Sequence, residues 1–327
     1  MPNEPNSLNV NYPLRFKPQL QYRLWGGDRL VTDFNKAEAG NQIGESWEIS
    51  AVPGFESEIV NGALNGQNLS DIIAKAPEAV LGKKVTERFG PTFPLLIKFI
   101  DAKTPLSVQV HPNDALAQQR HNSFGKNEMW YVLQAEPEAE LIVGFNQKMD
   151  RTSYENALAE NRLEEILHRE KVSAGDMVYI PTGTIHAIGA GVLLAEIQQS
   201  SDVTYRVYDY NRVDEQTGKT RELHTDLALD AIDYTIEKPS KLSYPKHLNK
   251  VNPVIDTPYF KTTFLPISGK VERLFPAGES FRIYICTQGS LQLNGEAVKK
   301  GDSILIPPFM DHLVWEGTGD VLEVCLD

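Results

Sequence analysis

The sequence has little cysteine, no excess of positive charge and no long apolar run, and each lack excludes a class of protein. Only two of the 327 residues are cysteines, Cys286 and Cys325, too few for a disulfide framework or a CxxC zinc motif. The longest apolar candidate, residues 93–100, contains Lys98 and falls short of the roughly 18 residues of a membrane-spanning helix. The N-terminal residues have no basic segment followed by an apolar one, so we expect no secretory signal. We therefore expect a cytoplasmic protein that does not bind membranes.

Acidic residues outnumber basic ones by 44 to 32, which gives a formal net charge of −12. Nucleic-acid binding rests largely on clustered Lys and Arg, so this balance argues against a nucleic-acid partner. Two or three local cations are nevertheless enough to hold one phosphate group in an acidic protein. A small molecule is the expected partner, and the composition leaves the oligomeric state open.

Short β-branched and aromatic segments lie between the 23 glycines and 20 prolines, which predicts a mainly β fold. Helical periodicity is confined to inserts. The first is residues 150–169 with Asp150 as N-cap, the second is residues 69–81 interrupted by Pro77, and the third is residues 225–232. We therefore expect helices that decorate a β architecture.

An internal repeat indicates the kind of β architecture. Gly175-Asp176 is followed by Ile180-Pro181 and then His186, and the same five residue types recur 126 positions later, ending at His312. A Gly-Asp turn, a short apolar strand stopped by proline and a following histidine form a unit of cupin barrels. The repeat predicts two cupin (jelly-roll) β-barrels with helical insertions. We expect a catalytic domain over residues 1–240, a linker at residues 238–245 and a degenerate C-terminal domain over residues 250–327.

Three segments carry residue types that bind metals. Strand alternation puts Ser107, Gln109 and His111 on one face, Glu128 heads an apolar strand, and His186 follows a Pro-Thr-Gly turn. Each strand taken alone is also compatible with an ordinary solvated face. Together, two imidazoles and a carboxylate, with an amide oxygen nearby, suit Zn²⁺, and Fe²⁺, Mn²⁺ or Co²⁺ stay open.

A polar run near residue 200 predicts a further wall of the same cavity. In an extended chain six even-numbered residues share one face, with a bulge expected at residues 199–201: Glu196, Gln198, Ser200, Asp202, Thr204 and Arg206. The arginine offers a planar fork to an oxyanion, and simple pairing of Arg206 with Asp202 is the alternative.

At this point the chain resembles the class I phosphomannose isomerases, the cupin-type mannose-6-phosphate isomerases. The motifs that carry the resemblance are QVHPN at 109–113, KNEMWYV at 126–132, GDMVYIPTGTIHAI at 175–188 and EIQQSSDVTYRVYDYNR at 196–212. The resemblance runs from about residue 13 to residue 235, and the chain is similar to the shorter form that lacks a large helical domain.

The resemblance implies interconversion of mannose 6-phosphate and fructose 6-phosphate through an enediol, with one Zn²⁺ per chain. The zinc ligands it implies are Gln109, His111, Glu128 and His186. The catalytic residues it implies are Arg206, Lys126, Glu196 and Asp202. The substrate-binding residues it implies are Ser107, Lys98, Trp25 and Glu48, with Lys98 and Ser107 expected at the phosphate.

Two other functions stay open on the sequence alone. A cupin oxygenase would use two histidines and a carboxylate to bind Fe(II). A sugar-phosphate-binding cupin would keep the metal and the phosphate contacts but would need no proton carrier. The charged residues Lys126, Glu196 and Arg206 favour an isomerase over both. His312 has no partner histidine or carboxylate in the strand expected beside it, so we expect no metal in the second barrel.

Overall fold

The computed structural model describes residues 10–36, 42–235 and 241–326, and within them the fold is mainly β, as the sequence predicts. The strands are β1 (Leu14–Arg15), β2 (Gln19–Gly27), β3 (Ile43–Ile49), β4 (Leu95–Ala102), β5 (Val108–Val110), β6 (Glu128–Ala135), β7 (Glu140–Phe145), β8 (Leu167–Lys171), β9 (Met177–Ile180), β10 (His186–Ile188), β11 (Val192–Gln199), β12 (Tyr205–Tyr208), β13 (Asn252–Asp256), β14 (Lys261–Leu274), β15 (Arg282–Leu293), β16 (Glu296–Lys299), β17 (Ser303–Ile306) and β18 (His312–Cys325).

Short helices connect these strands. They are α1 (Arg29–Thr32), α2 (Leu69–Lys75), α3 (Pro77–Leu81), α4 (Lys83–Phe89), α5 (Asp114–His121), α6 (Arg151–Ala159), α7 (Leu163–Ile166) and α8 (Thr225–Ala231), with a 3-10 turn at Gly62–Leu64. No helix in the described ranges is both long and apolar enough to cross a bilayer.

The chain forms two compact units, and both are discontinuous in sequence. One comprises Met1–Gln19, Glu48–Leu95 and Ser243–Asp327, and the other comprises Leu20–Trp47 and Leu96–Leu242. The N-terminal segment joins the C-terminal strands because β1 pairs with β17. The sequence-based domain limits of 1–240 and 250–327 do not include the pairing of β1 with β17, and they stay a prediction. The first residues of the predicted linker, up to residue 240, lie outside the described residues.

The unit that contains Leu96–Leu242 carries two sheets. A six-stranded sheet has the order β2-β3-β4-β11-β6-β9, and a five-stranded sheet has the order β12-β5-β10-β7-β8. The inner faces share one apolar core, in which Trp130 and Leu194 of the larger sheet join Leu141 and Ile188 of the smaller one. Side chains of α6, α7 and α8 cover the other face of the five-stranded sheet. The polar residues of the inner faces are thereby confined between two apolar layers.

The other unit contains one seven-stranded sheet. Its order is β1-β17-β15-β18-β14-β13, and β16 pairs with β15. Its core includes Leu265, Tyr284, Trp315 and Val321. The very long strands β14 and β18 pair over their whole length, from Lys261 opposite Cys325 to Leu274 opposite His312.

The sequence repeat corresponds to a structural repeat. Gly175 and Gly301 both have φ of +89°, which a side chain would strain. The following aspartates, Asp176 and Asp302, each accept a hydrogen bond from a backbone N–H three residues earlier, at 2.9 and 3.0 Å. β9 and β17 then end at the isoleucine before proline, since proline cannot donate to a ladder.

The helical inserts follow the sequence prediction only in part. Asp150 caps α6 by accepting from the Ser153 N–H at 2.7 Å, as predicted. The predicted helix up to residue 169 is wrong beyond α7, because Asn161 adopts a left-handed φ of 57° and residues from Leu167 onward pair with β7. The interruption at Pro77 and the helix near residue 225 are confirmed.

Candidate active site

A cluster of two histidines and one carboxylate lies between the two sheets. His111 follows β5, His186 begins β10, and Glu128 begins β6. His186 Nε2 is 3.3 Å from Glu128 Oε1, and His111 Nε2 is 3.5 Å from Glu128 Oε2. One donor atom from each residue lies within 4.8 Å of the others, and all three side chains are buried. The cluster therefore forms a candidate metal site.

Backbone carbonyls set the orientation of both imidazoles. His111 Nδ1 donates to the Val203 carbonyl at 2.9 Å, and His186 Nδ1 donates to the Thr184 carbonyl at 2.8 Å. With Nδ1 protonated, the lone pair of each ring is on Nε2, which faces the carboxylate. Burial lowers the pKa of His186 to about 4 and lowers the pKa of His111 well below its usual value. Both rings are therefore neutral near pH 7, as metal ligands must be.

Glu128 has the features of a ligand that lacks one partner. Its Oε1 is buried and accepts no hydrogen bond among the described residues. Burial raises the pKa of this carboxyl to about 8, against the opposing charge of Lys126. The Lys126 ammonium donates to Oε2 and lies 3.2 Å from His111 Nε2, so the donor set already faces a positive charge. A divalent cation would give Oε1 a partner and favour the ionised form, so these residues fit a metal.

Gln109 lies beside this cluster. It is directly opposite His186 in the sheet, and its Nε2 is 3.3 Å from His186 Nε2. In this orientation the amide nitrogen faces the cluster, and a half-turn of the amide would bring the oxygen there. The predicted role of Gln109 as a metal ligand stays a prediction.

A cavity of about 420 Å³ adjoins the cluster. Its wall contains eight of the residues predicted from the sequence, Trp25, Lys98, Ser107, Gln109, Lys126, Glu196, Asp202 and Arg206. Glu48 is buried but does not belong to the described wall, whereas Glu45 does. The two carboxylates are three residues apart on β3, so strand alternation turns them to opposite faces.

Glu196 is the centre of the charged wall. It lies opposite Trp130 in the sheet and accepts a hydrogen bond from the Trp130 indole N–H at 3.0 Å. Lys98 Nζ is 3.4 Å from one of its oxygens, and Lys126 Nζ is 3.7 Å from the other. Burial alone would raise the pKa of Glu196, but Lys126 and Lys98 outweigh it and lower that pKa. The carboxylate is therefore ionised near pH 7.

The charge of Lys126 is fixed by the same network. Burial alone would lower its pKa, but the carboxylates of Glu128 and Glu196 outweigh this and raise the pKa. Lys126 is thus a buried ammonium that can donate protons but is not free to accept one at neutral pH.

Two wall residues that the sequence analysis missed form a second ion pair. Glu45 accepts from Arg23 at 2.9 Å and from the Trp47 indole N–H at 2.7 Å. Burial opposes ionisation, but Lys98 and Arg23 lower the pKa of Glu45 to about 2. Lys98 Nζ also lies 4.7 Å from the Trp47 ring centre, a cation–π contact. The Lys98 ammonium is therefore surrounded by two carboxylates and an aromatic face.

Arg206 reaches the cavity from β12, directly opposite Gln109. Its Nη1 donates to the Glu222 carbonyl at 2.8 Å, while its Nε is buried with no partner among the described residues. No ion pair joins Arg206 to Asp202 in this part of the chain. Burial, and then the charge of Arg221, lower the pKa of Arg206.

The predicted polar run is not one strand. β11 ends at Gln199 and β12 begins at Tyr205, so the chain is irregular over residues 200–204 rather than bulged at one point. Gln198 turns its amide to the carbonyls of Gln199 and Ser201. Asp202 and Thr204 still line the cavity. The sequence analysis also missed Tyr22, Asp214 and Arg221, which complete the wall with apolar residues Leu24, Ile100, Leu106 and Ile188.

The second histidine of the repeat is in a different environment. The His312 side chain is 48% exposed and lies 3.4 Å from Glu272, whereas the His186 side chain is 1% exposed. Among the residues described, the metal-type grouping of three donors is the one formed by His111, Glu128 and His186.

Comparison with known proteins shows the family of the chain. Residues 14–145 match the family model of the phosphomannose isomerase type I catalytic domain. The chain is 35% identical over 315 residues to a mannose-6-phosphate isomerase of Streptococcus mutans, covering 94% of this chain and 96% of the relative. The chain belongs to the type I mannose-6-phosphate isomerase family.

Other members of the family agree along nearly the whole chain. A Bacillus subtilis mannose-6-phosphate isomerase is 34% identical, with 95% of this chain and 98% of that protein covered. The crystal structure of a mannose 6-phosphate isomerase from Bacillus subtilis superimposes with a TM-score of 0.87 at 32% identity, covering 95% of this chain and 99% of the other. The resemblance recognised in the sequence is confirmed.

Proposed function

We propose that this chain is a metal-dependent aldose–ketose isomerase that interconverts mannose 6-phosphate and fructose 6-phosphate. Its family membership supports the reaction. The structural observation that carries the proposal is an ionised carboxylate, Glu196, and a buried ammonium, Lys126, beside one metal-type cluster in one cavity. Moving a hydrogen between C1 and C2 needs a base, a proton donor and an electrophile in that arrangement.

We assign one zinc ion per chain to His111, Glu128 and His186, with Gln109 as a fourth ligand. The mixed nitrogen and oxygen donor set supports zinc. When bound, the metal supplies Lewis-acid polarisation of the substrate carbonyl.

Glu196 is the residue we assign as base. It is ionised at neutral pH, and the Trp130 N–H and Lys98 hold its two oxygens in place. A fixed carboxylate can take the proton from one carbon and return it to the neighbouring one through the enediol. Lys126 can donate a hydrogen bond or a proton to the oxygen that becomes negative. Asp202, which shares the wall, is the alternative carrier.

Arg206 is assigned to the developing negative charge. It lies opposite Gln109 and therefore near the metal-type cluster, and its buried Nε has hydrogen-bonding capacity to spare. A guanidinium keeps its charge at any physiological pH, so it can stabilise an enediolate without accepting the proton itself.

Substrate positioning is assigned to wall residues that carry no ligand role. Trp25 and Ser107 are buried and line the cavity, and Lys98 supports Glu196. Glu48 lies outside the cavity wall, and its predicted part in substrate binding falls to Glu45 of the same strand, which reaches the wall.

The alternative functions are less well supported. An oxygenase or a binding protein would account for the His111–Glu128–His186 cluster, but neither needs Glu196 held between two lysines. We also propose a cytoplasmic location and a small-molecule partner without nucleic acid. The small number of cysteines, two in 327 residues, and the net charge of −12 support this.

A coupled assay of mannose 6-phosphate turnover tests the proposal. We expect turnover by the zinc-loaded protein, loss of turnover with a chelator, and recovery when zinc is added back. Absence of turnover in protein that has bound one equivalent of zinc would contradict the proposed function.

A further inference from the structure

Five cationic side chains line the cavity, and they are not equally neutralised. They are Arg23, Lys98, Lys126, Arg206 and Arg221. Arg23 pairs with Glu45 at 2.9 Å, and Lys98 pairs with Glu196 at 3.4 Å. Lys126 pairs with both Glu128 and Glu196. In the described structure Arg206 has no carboxylate within ion-pairing distance. Among the described residues, Arg206 is therefore the cavity cation that has no ion pair, although the carboxylates of Asp202 and Asp214 also line the wall.

Arg221 adds to this charge because its carboxylate is shared. Its Nε and Nη2 donate to the two oxygens of Asp209, which is 5% exposed. Arg212 donates to the same carboxylate. Arg221 and Arg212 therefore share the one carboxylate of Asp209, and Arg206 adds a third guanidinium, for which the described residues provide no ion pair. Nη1 of Arg221 has no acceptor among the described residues, so the fixed guanidinium has one edge available to a ligand.

A hairpin holds Arg221 at the cavity. Val213 bridges Thr220, and the Asp214 N–H donates to the Lys219 carbonyl at 2.9 Å. The Tyr22 hydroxyl lies 3.5 Å from Asp214 Oδ1 and links the hairpin to β2. The bidentate pair with Asp209 then fixes the direction of the Arg221 side chain, so little conformational entropy is lost on binding.

The register of β5 separates this charge from the metal-type cluster. Arg206 lies opposite Gln109, and Tyr208 lies opposite Val108. Continuing this register one residue beyond β12 and β5 brings Asp209, the ion-pair partner of Arg221, opposite Ser107, whereas His111 follows the other end of β5. Four residues of strand span about 13 Å. The cavity thus has a metal end at His111 and a cationic end at Ser107 and Arg221.

We infer that Arg221, with the Ser107 hydroxyl, binds the phosphate group of the substrate, while Arg206 between the two ends serves the reacting oxygens. This inference rests on the proposed function and deepens it. The free Nη1 edge of Arg221 can donate to phosphate oxygens, and guanidinium edges bind such oxygens in a fixed geometry. The assignment replaces Lys98 as the phosphate cation, because Glu196, Glu45 and the Trp47 ring already surround that ammonium.

Steady-state kinetics of Arg221→Gln and of Arg23→Gln test the inference. Arg23 lines the same cavity but is paired with Glu45, so it controls for loss of a cavity charge. In Arg221→Gln we expect KM for mannose 6-phosphate to rise about 30-fold, within the range for lost hydrogen bonds to a charged group, with kcat within about threefold. In Arg23→Gln the rise in KM should be smaller. A larger rise in Arg23→Gln, or a fall in kcat alone in Arg221→Gln, would overturn the assignment.

Calorimetric titration with inorganic phosphate separates this inference from the proposed function. We expect phosphate to bind the zinc-loaded protein and to bind Arg221→Gln at least about tenfold more weakly. If the unaltered protein does not turn over mannose 6-phosphate, the proposed function fails, and the titration still decides whether Arg221 binds phosphate. Equal phosphate affinity in both proteins would refute the inference.

A further variant of Arg221 separates the effect of its charge from the effect of its bidentate contact with Asp209. Arg221→Lys keeps the charge but gives up the bidentate contact, and we expect phosphate affinity between those of the unaltered protein and Arg221→Gln. Phosphate affinity in a folded Arg221→Lys as low as in Arg221→Gln would show that the effect comes from misplacing the hairpin, and it would also overturn the assignment.

Discussion

Glu196 and Glu323 occupy corresponding positions in the two halves of the repeat. Glu196 lies opposite Trp130 and accepts from its indole N–H at 3.0 Å, and Glu323 lies opposite Tyr284 and accepts from its hydroxyl at 2.6 Å. Each aromatic residue in turn lies opposite the strand that follows the Gly-Asp turn. Both sheets therefore have a glutamate that accepts a hydrogen bond from an aromatic side chain at this position, and the surrounding residues differ.

The ligand position differs between the two sheets. Glu128 lies opposite Ile180, and the residue opposite Ile306 is Arg282. A guanidinium thus stands where the other sheet has its ligand carboxylate. Arg282 lies 3.5 Å from Glu323, and Arg273 contacts both oxygens of that carboxylate at 2.9 and 3.0 Å. An internal ion cluster takes the place of metal-type donors.

Replacing Glu323 should destabilise the protein without touching the chemistry. In Glu323→Gln the half-buried guanidiniums of Arg273 and Arg282 lose the counter-charge of a buried carboxylate, which costs about 3 kcal/mol of unfolding free energy. Urea unfolding measures this loss. The matched control is Glu272→Gln, an exposed residue beside His312, where the change should stay below about 1 kcal/mol. Equal stabilities of the two variants would contradict the structural role of the cluster.

Metal content should depend on one histidine of the repeat only. We expect one equivalent of zinc per chain, loss of most of it in His186→Ala, and full retention in His312→Ala. The reason is that His186 is buried among donors, while His312 is exposed and, in the described ranges, belongs to no group of three metal-type donors. Elemental analysis of the purified variants gives the answer. Two equivalents per chain, with one lost in His312→Ala, would show a second site.

The Arg206→Lys variant should lose turnover rather than affinity. Lysine keeps the charge but not the fork that reaches two oxygens, so we expect kcat to fall at least tenfold, or about 1.4 kcal/mol in activation free energy. The melting temperature should change little, because the Arg206 side chain makes one hydrogen bond to the described residues, to the Glu222 carbonyl. Near-normal kcat, or unfolding in place of inactivity, would count against a role in chemistry.

Glu45 should contribute to acid stability. Its pKa in the folded chain is about 2, below the ordinary value of 4.5, because Lys98 and Arg23 outweigh the effect of burial. A lowered carboxyl pKa stabilises the fold above pH 4.5, and this contribution is lost as pH falls from 4.5 toward 2. The contribution is roughly 3 kcal/mol. Unfolding free energies measured across that range should fall less steeply in Glu45→Gln, and an unchanged slope would contradict the pairing.

Much of the fold and of the site was readable from the sequence because the signals are local. The Gly-Asp turn before β9, the proline after it and His186 lie within twelve residues and specify one hairpin-like unit. Strand alternation placed Gln109 and Ser107 correctly on the cavity side. Such patterns need no knowledge of distant contacts.

The sequence-based predictions that fail concern features that depend on contacts between residues far apart in the sequence. The helix predicted to residue 169 stops early because Leu167 pairs with Phe145 of β7. Glu48 is predicted at the substrate, but Glu45 lies in the cavity wall, because the face that a strand turns to a cavity depends on the strands beside it. Arg221 gave no signal, because it reaches the cavity only through its pair with Asp209.

The role of Glu196 as the base is tested most directly by following the hydrogen that moves between C1 and C2. Mannose 6-phosphate is incubated with zinc-loaded protein in D2O, and the sugar protons are observed by NMR. We expect the unaltered protein to form fructose 6-phosphate and to incorporate deuterium at the reacting carbon. With Glu196→Gln of normal zinc content we expect almost no fructose 6-phosphate and almost no deuterium incorporation. Isomerisation by Glu196→Gln at the rate of the unaltered protein would contradict the assignment of Glu196 as the base.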